Sequence, residues 1–173
     1  MCHATAKRLV VRTAVGTRTR GWLTVGPLAF PVALGRGGIL ANKREGDGGT
    51  PRGRFRLVRL WWRPDRGGRP RTLLPARPIA RDDAWCEDPS DRRYNRPIKA
   101  SSGDHLWRDD ALYDLMIELD HNTRPRIAGR GSAVFVHVAR PGFAPTAGCV
   151  ALEKSRLRRV LARLGPRTVI DID

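Results

Sequence analysis

Short apolar segments follow one another through the first third of the chain. Those at 8–12 (RLVVR), 21–26 (RGWLTV) and 27–35 (PLAFPVALG) have the length of strands and are bounded by glycine, proline or charged residues. A longer segment at 54–62 (RFRLVRLWW) places its apolar residues in a period of two with one break. The pattern predicts four strands.

The second half of the chain continues this pattern and ends with one helix. The segments at 111–120 (ALYDLMIELD) and 132–139 (SAVFVHVA) predict strands, with a helix as the alternative for the first. The segment 153–165 predicts a helix that ends at a Gly-Pro pair, and 167–173 predicts a closing strand. The helix places four apolar residues at positions i, i+3, i+4 and i+7: Leu157, Val160, Leu161 and Leu164.

Residues 62–111 show no clear periodicity and are rich in proline, arginine and aspartate. A structureless stretch of that length is unusual inside a compact domain, so we interpret it as an insertion in a single domain spanning 1–173. Its aromatic residues Trp85, Tyr94 and Trp107 would anchor it. A lid over a cleft and a surface excursion are both compatible with the pattern.

The composition adds a strong positive charge. The formal net charge is +16 and the 33 basic residues are scattered along the chain instead of forming one block. A polyanion-binding protein could carry such a charge. The scatter favours a general preference for arginine over lysine, so we expect no specific nucleic-acid partner and only a weak preference for anionic surfaces.

Several classes of protein are not indicated. No apolar run approaches the roughly 18 residues of a transmembrane helix, and the N-terminus lacks the apolar stretch of a signal peptide. By this criterion a cytoplasmic location is the alternative to an exported protein. The three cysteines, Cys2, Cys86 and Cys149, form no CxxC pair, and the four histidines have no ligand spacing. We therefore expect neither a metal site nor a disulfide framework.

The stretch HVARPGFAPTAGCVAL at 137–152 carries the candidate chemistry. His137 lies near the end of a predicted strand, and the connection to Cys149 is long enough to fold back, so the imidazole could act as the base for a thiol nucleophile. The amides of Ala147 and Gly148, together with that of Cys149, could stabilise an oxyanion. The alternative is a buried core cysteine and a core histidine whose polar atoms are satisfied.

Several short motifs occur in a characteristic order. His137 lies on a strand, and Thr146, Gly148, Cys149 and Val150 follow after a variable loop. The upstream TPRGRF at 50–55, for which we predict a type I turn, and the glycines at 35, 37 and 38 precede them. From about residue 8 to 173 the chain resembles the L,D-transpeptidase catalytic-domain family (YkuD-type) of bacterial cell-wall enzymes. Two positions depart from its pattern: Ala147 stands for a histidine, and Ala151 for an arginine.

The resemblance implies a mainly β fold, similar to a β-sandwich with mixed sheets, with one C-terminal helix and the long inserted region. It implies a periplasmic enzyme that acts on peptidoglycan stem peptides and needs no cofactor or metal. A cysteine thioester would form on a meso-diaminopimelate donor, or in a variant on the first-position L-alanine. The side-chain amine of meso-diaminopimelate would accept the acyl group. The alternatives are an L,D-carboxypeptidase that uses water and a non-catalytic polyanion-binding module.

The resemblance also assigns roles to residues. Cys149 would be the nucleophile and His137 the base. A backbone carbonyl or a side chain would orient His137, and His121 is the best side-chain candidate. The neighbouring Asn122 is a further candidate for orienting His137 or binding substrate. Cys2 and Cys86 would be bystanders. Because position 151 lacks the arginine, we expect another basic residue to meet the substrate carboxylate. The expected groove residues are Arg96, Asn95, Tyr94 and Trp85.

Overall fold

The computed structural model describes residues 5–101 and 103–173. The described chain contains one α-helix, α1 (Lys154–Leu161), and two short 3-10 helices, Pro64–Arg66 and Pro141–Phe143. The strands are β1 (Arg8–Thr13), β2 (Arg20–Val25), β3 (Leu28–Ala33), β4 (Ile39–Leu40), β5 (Thr50–Pro51), β6 (Gly53–Trp62), β7 (Ala76–Pro78), β8 (Asp83–Trp85), β9 (Pro97–Lys99), β10 (Asp104–His105), β11 (Leu115–Leu119), β12 (Phe135–Val138), β13 (Val150–Leu152) and β14 (Val169–Ile172).

The main sheet closes on itself. Its strand order is β11-β12-β13-β3-β2-β1-β14-β6-β7, and β11 also pairs with β6, so the ring closes and β7 is added outside it. The sheet is mixed, because β1 runs parallel to β14 and β12 runs parallel to β13, while β2 and β3 pair antiparallel with their neighbours. The predicted mainly β fold with mixed sheets is confirmed.

Alternating residues of the strands build the main core. In β1 the side chains of Leu9 and Val11 are fully buried between more exposed neighbours, as a period of two requires. The break in this period in β6 has a physical cause, because Leu60 packs in the main core while the next residue, Trp61, packs in a second apolar cluster. Both faces of β6 are therefore covered at this point.

The helix covers part of the main core. Leu157, Val160, Leu161 and Leu164 are all completely buried there, as the predicted apolar stripe requires. The helix ends at Leu161, before the predicted boundary at 165, and a turn carries Leu164 into the core. In the described part of the chain, no helix is long and apolar enough to cross a membrane.

The segment 62–111 contains regular structure that its pattern does not reveal. It forms β7, which adds to the main sheet, and a small sheet of order β10-β8-β9. These strands have only two or three residues, which is too short for a detectable period. Their apolar residues pack with those of β11 and β12 in the second cluster: Trp61, Ile79, Trp85, Leu106, Leu112, Tyr113, Met116, Ala133, Phe135 and Cys149.

Two local predictions have definite outcomes. The segment 111–120 contains the strand β11, so the helical alternative is wrong. The predicted type I turn at TPRG is also wrong, because Thr50 and Pro51 pair with β4 as the parallel strand β5. The Thr50 Oγ1 atom accepts a hydrogen bond from the Gly35 amide at 2.8 Å, which ties this strand to the chain entering the site.

Candidate active site

Two adjacent parallel strands bring the cysteine and the histidine together. His137 belongs to β12, and Cys149 immediately precedes β13, whose Val150 is in register with Val136. The register therefore places Cys149 beside Phe135, which lies on the same face of β12 as His137, two residues further along. Both side chains line one cavity of about 620 Å³.

The thiol of Cys149 lies against the backbone of its neighbouring strand. It donates a hydrogen bond to the Ala133 carbonyl at 3.2 Å and accepts one from the Phe135 amide at 3.4 Å. The side chain is only 7% exposed, and this burial raises the pKa of the thiol to about 12. Cys149 is therefore a neutral thiol at pH 7.

The imidazole of His137 has a fixed tautomer. Its Nδ1 lies 2.8 Å from the Val138 carbonyl oxygen, and because a carbonyl only accepts, Nδ1 carries the proton and Nε2 keeps its lone pair. Burial lowers the pKa of His137 to about 4, against the carbonyl contact, which favours the charged form. The ring of Tyr113 packs edge-on against it with centroids 5.5 Å apart.

The resting pair is neutral. Among the described residues no hydrogen bond joins the Cys149 thiol to the His137 ring, and burial opposes charge on both groups. An isolated thiolate–imidazolium pair is thus disfavoured in this pocket. If this pair acts on a substrate, transfer of the thiol proton to Nε2 would accompany the attack instead of preceding it, as in general-base catalysis.

The loop before the thiol is braced by Thr146. Its Oγ1 donates to the Cys149 carbonyl at 2.6 Å and accepts from the Gly148 amide at 3.1 Å. The Gly148 amide is therefore engaged, whereas the amides of Ala147 and Cys149 have no partner within the described ranges. Gly148 has φ +145°, and a Cβ atom there would lie 2.8 Å from the Gly49 carbonyl oxygen, so only glycine fits.

Charged side chains of both signs line the cavity. The basic ones are Arg36, Lys43, Arg108 and Arg140, and the acidic ones are Glu45, Glu87 and Asp104. Burial, aided by the charges of Asp104 and Glu45, raises the pKa of Glu87 to about 7. The segment 62–111 supplies Glu87, Asp104 and Arg108, and so forms one wall of the cavity.

Tyr113 and Asp104 stand beside the cysteine and histidine, and the sequence interpretation did not identify either of them. The Tyr113 hydroxyl donates to Asp104 Oδ2 at 2.6 Å, and its ring also contacts Phe135 edge-on. Burial raises the pKa values of both groups. β11 pairs with β12 and sets Met116 opposite His137. A prediction that these two strands are neighbours would have placed Tyr113, which precedes β11, near the site.

The expected groove residues Trp85, Tyr94 and Asn95 form a buried network behind the cavity wall. Trp85 Nε1 donates to Asn95 Oδ1 at 3.1 Å, and Asn95 Nδ2 donates to the carbonyls of His121 at 3.0 Å and Asn122 at 2.9 Å. The Tyr94 hydroxyl donates to Glu45. None of these residues lines the cavity that contains Cys149.

The remaining predicted residues also lie outside the cavity lining. Arg96 is exposed, and the structure does not bring it to Cys149. The His121 Nε2 atom lies 3.1 Å from the Arg130 carbonyl oxygen, so His121 does not orient His137, whose Nδ1 is held by Val138. Asn122 donates to the carbonyls of Ile127 and Gly131 and thereby closes its own loop. Cys2 lies outside the described residues.

Comparison with known protein families gives a match over nearly the whole chain. The family model of the L,D-transpeptidase catalytic domain covers residues 6–172. No protein with a curated description and no solved structure matches the chain. The chain belongs to the L,D-transpeptidase catalytic-domain family, whose members are cysteine-dependent peptidoglycan transpeptidases.

Proposed function

We propose that this member of the family transfers acyl groups between peptidoglycan stem peptides, with Cys149 as the nucleophile and His137 as the general base. The observation that carries the proposal is a buried thiol and an imidazole of fixed tautomer that line the same cavity. The unpartnered amides of Ala147 and Cys149 within the described ranges support an oxyanion site. In this proposal the chain is one catalytic domain, and the segment 62–111 is a wall of its site.

The neutral resting pair suits a concerted first step. As the donor carbonyl approaches, Cys149 Sγ bonds to its carbon while the thiol proton moves to His137 Nε2. The carbonyl oxygen becomes an oxyanion near the free amides. The carbon–nitrogen bond then breaks, His137 returns the proton to the leaving amine, and a thioester remains on Cys149.

The second half of the reaction uses the same groups in reverse. The acceptor amine attacks the thioester carbon and gives a proton to His137 Nε2, and the sulfur–carbon bond breaks. The sulfur leaves as the thiolate and takes the proton back from His137. We propose the side-chain amine of meso-diaminopimelate as acceptor, with meso-diaminopimelate or the first-position L-alanine as donor. Water as acceptor makes the same site an L,D-carboxypeptidase.

The cavity favours catalysis over a polyanion-binding module, because a surface that only binds polyanions needs no thiol and imidazole in a pocket of about 620 Å³. Members of this family typically act outside the cytoplasm, which supports a periplasmic location. The net charge of +16 would also attract the protein to an anionic peptidoglycan surface.

Product analysis with purified protein tests the proposal. The protein is incubated with disaccharide tetrapeptides, and the products are separated and identified by mass spectrometry. A crosslinked dimer supports transpeptidation, and the mass of the released fragment identifies the donor bond. A shortened monomer alone supports the carboxypeptidase. The Cys149→Ala variant is the negative control and should yield neither product. A folded wild-type protein that also yields neither product contradicts the proposal.

A further inference from the structure

Two of the four basic side chains in the cavity lining are paired with a carboxylate. Lys43 pairs with Asp47 at 2.5 Å, and Arg108 pairs with Asp110 at 2.7 Å. The two other arginines of the lining, Arg36 and Arg140, form no ion pair within residues 5–101 and 103–173. The cavity therefore contains two guanidinium groups available for an anion.

Both guanidinium groups are attached to the segments that carry the reacting side chains. The Arg36 amide donates to the Thr146 carbonyl at 3.0 Å, so the backbone of Arg36 is fixed to the loop that leads to Cys149. The Arg36 side chain packs over Gly48 and donates to the Gly46 carbonyl at 3.2 Å. Arg140 follows β12 three residues after His137, and its charge contributes to the lowered pKa of that histidine.

We propose that Arg36 and Arg140 bind the α-carboxylate of the residue whose nitrogen leaves in the first step, and so select donors that bear a carboxylate at this position. This inference rests on the proposed function. Guanidinium groups form strong, directional hydrogen bonds with carboxylates. The pair would take the place of the arginine that the family pattern has at the position of Ala151.

The proposed carboxylate is common to both candidate donors. When the bond after meso-diaminopimelate is cleaved, the leaving amine belongs to D-alanine. When the bond after L-alanine is cleaved, it belongs to D-glutamate, which continues the stem through its side-chain carboxyl group. In both cases the carbon next to the leaving nitrogen bears a free α-carboxylate. The recognition chemistry is therefore the same, whichever bond is the substrate.

Equilibrium binding to the Cys149→Ala protein tests this inference without chemistry. The probes are two tetrapeptide stems, L-Ala-γ-D-Glu-meso-diaminopimelate-D-Ala, one with free α-carboxylates on D-Glu and D-Ala and one with both converted to carboxamides. We expect the free acid to bind about 10- to 100-fold more tightly, the value of a charge-assisted hydrogen bond of about 1.5–3 kcal/mol. Arg36→Gln or Arg140→Gln should reduce this preference, and the two together should remove it.

The matched control is Arg12→Gln, which removes one positive charge from an exposed position on β1 outside the cavity. It should keep the full preference, which separates local recognition from net charge. Equal affinity for the two peptides, or an unchanged preference in the double variant, overturns the inference. Failure of the proposed function has a different signature, because the wild-type protein would then form no thioester while the carboxylate preference stays measurable.

Discussion

Cys149 and Cys86 are buried to a similar degree but lie in different surroundings. The two residues have 7% and 4% of their surface exposed. Cys86 closes a hairpin, where its amide donates to the Arg96 carbonyl at 2.9 Å and its carbonyl accepts from the Asn95 amide at 2.8 Å. Cys149 lines the cavity that His137 also lines, whereas Cys86 does not.

The comparison shows that burial alone does not make a cysteine reactive. Burial keeps the Cys149 thiol neutral, which by itself makes it a weaker nucleophile. Cys149 differs from Cys86 in sharing a cavity with an imidazole of fixed tautomer, His137. Its reactivity should therefore depend on bound substrate, on His137 and on the loop geometry, and each of these can be changed separately.

Replacing each cysteine in turn should have the largest effect. Cys149→Ala should reduce acyl transfer by several orders of magnitude, of order 10⁶ where a covalent nucleophile is removed from a serine protease. Cys86→Ala should leave the rate near that of the wild type, because its side chain lies outside the cavity. The rate of crosslink formation measures both. A comparable loss of rate in the two variants would contradict a special role for Cys149 in the reaction.

Removing the base should have the next largest effect. His137→Gln should lower the rate of acyl transfer by about 10²–10⁴, the usual contribution of a general base. The rate of thioester formation in a single turnover isolates this step. Equal single-turnover rates in the wild type and the variant would exclude His137 as the base.

The buried histidine should also make stability depend on pH. Its pKa is about 4 in the folded protein and 6.5 in an unfolded chain, so the unfolded state binds more protons between these values. The free energy of unfolding should therefore fall as the pH falls, by about 2–3 kcal/mol from His137 alone between pH 7 and 4.5. Urea unfolding of the wild type at both values measures it.

The His137→Gln variant serves as the reference for this measurement, because its loss between the two pH values should be smaller by the same amount. His105→Gln is the control for replacement of a histidine, since His105 is exposed. An equal loss of stability in the wild type and in His137→Gln would contradict a buried, neutral His137.

The loop before Cys149 should tolerate substitution less than the loop at Gly142. Gly148→Ala should destabilise the protein by about 1–3 kcal/mol, because its φ of +145° is unfavourable for alanine and the new Cβ atom would lie 2.8 Å from the Gly49 carbonyl oxygen. Gly142 has φ +73°, and a Cβ atom added there would meet nothing within 4 Å, so Gly142→Ala should cost only about 1 kcal/mol. Chemical denaturation compares the two, and equal losses would contradict a special role for the backbone at Gly148.

The strands and the cysteine–histidine stretch could be predicted because each has a local signal. A period of two marks β1, and the i, i+3, i+4, i+7 stripe marks the helix around Leu157. The break in β6 at Trp61 depends on a second core that covers the outer face of the sheet. The short strands of the segment 62–111 have no such signal, because two or three residues cannot define a period.

The walls of the site could not be predicted for a different reason. Arg36, Asp104 and Arg140 come from distant segments that only the closed sheet brings to one cavity. The aromatic and basic cluster around Arg96 is compact in the sequence, but its Trp85 and Asn95 side chains point into a buried network. Their proximity in the sequence indicated a substrate groove. In the fold, Trp85 and Asn95 instead belong to a buried hydrogen-bond network outside the cavity lining.

Mapping the acyl group after reaction with a carbapenem tests the central claim most directly. Intact-mass measurement gives the stoichiometry, and peptide mapping identifies the modified cysteine. We predict one adduct for each protein molecule, located on Cys149, absent from the Cys149→Ala variant and unaffected by Cys86→Ala. An adduct on Cys86, or no adduct on a folded wild-type protein, would contradict the assignment of Cys149 as the nucleophile.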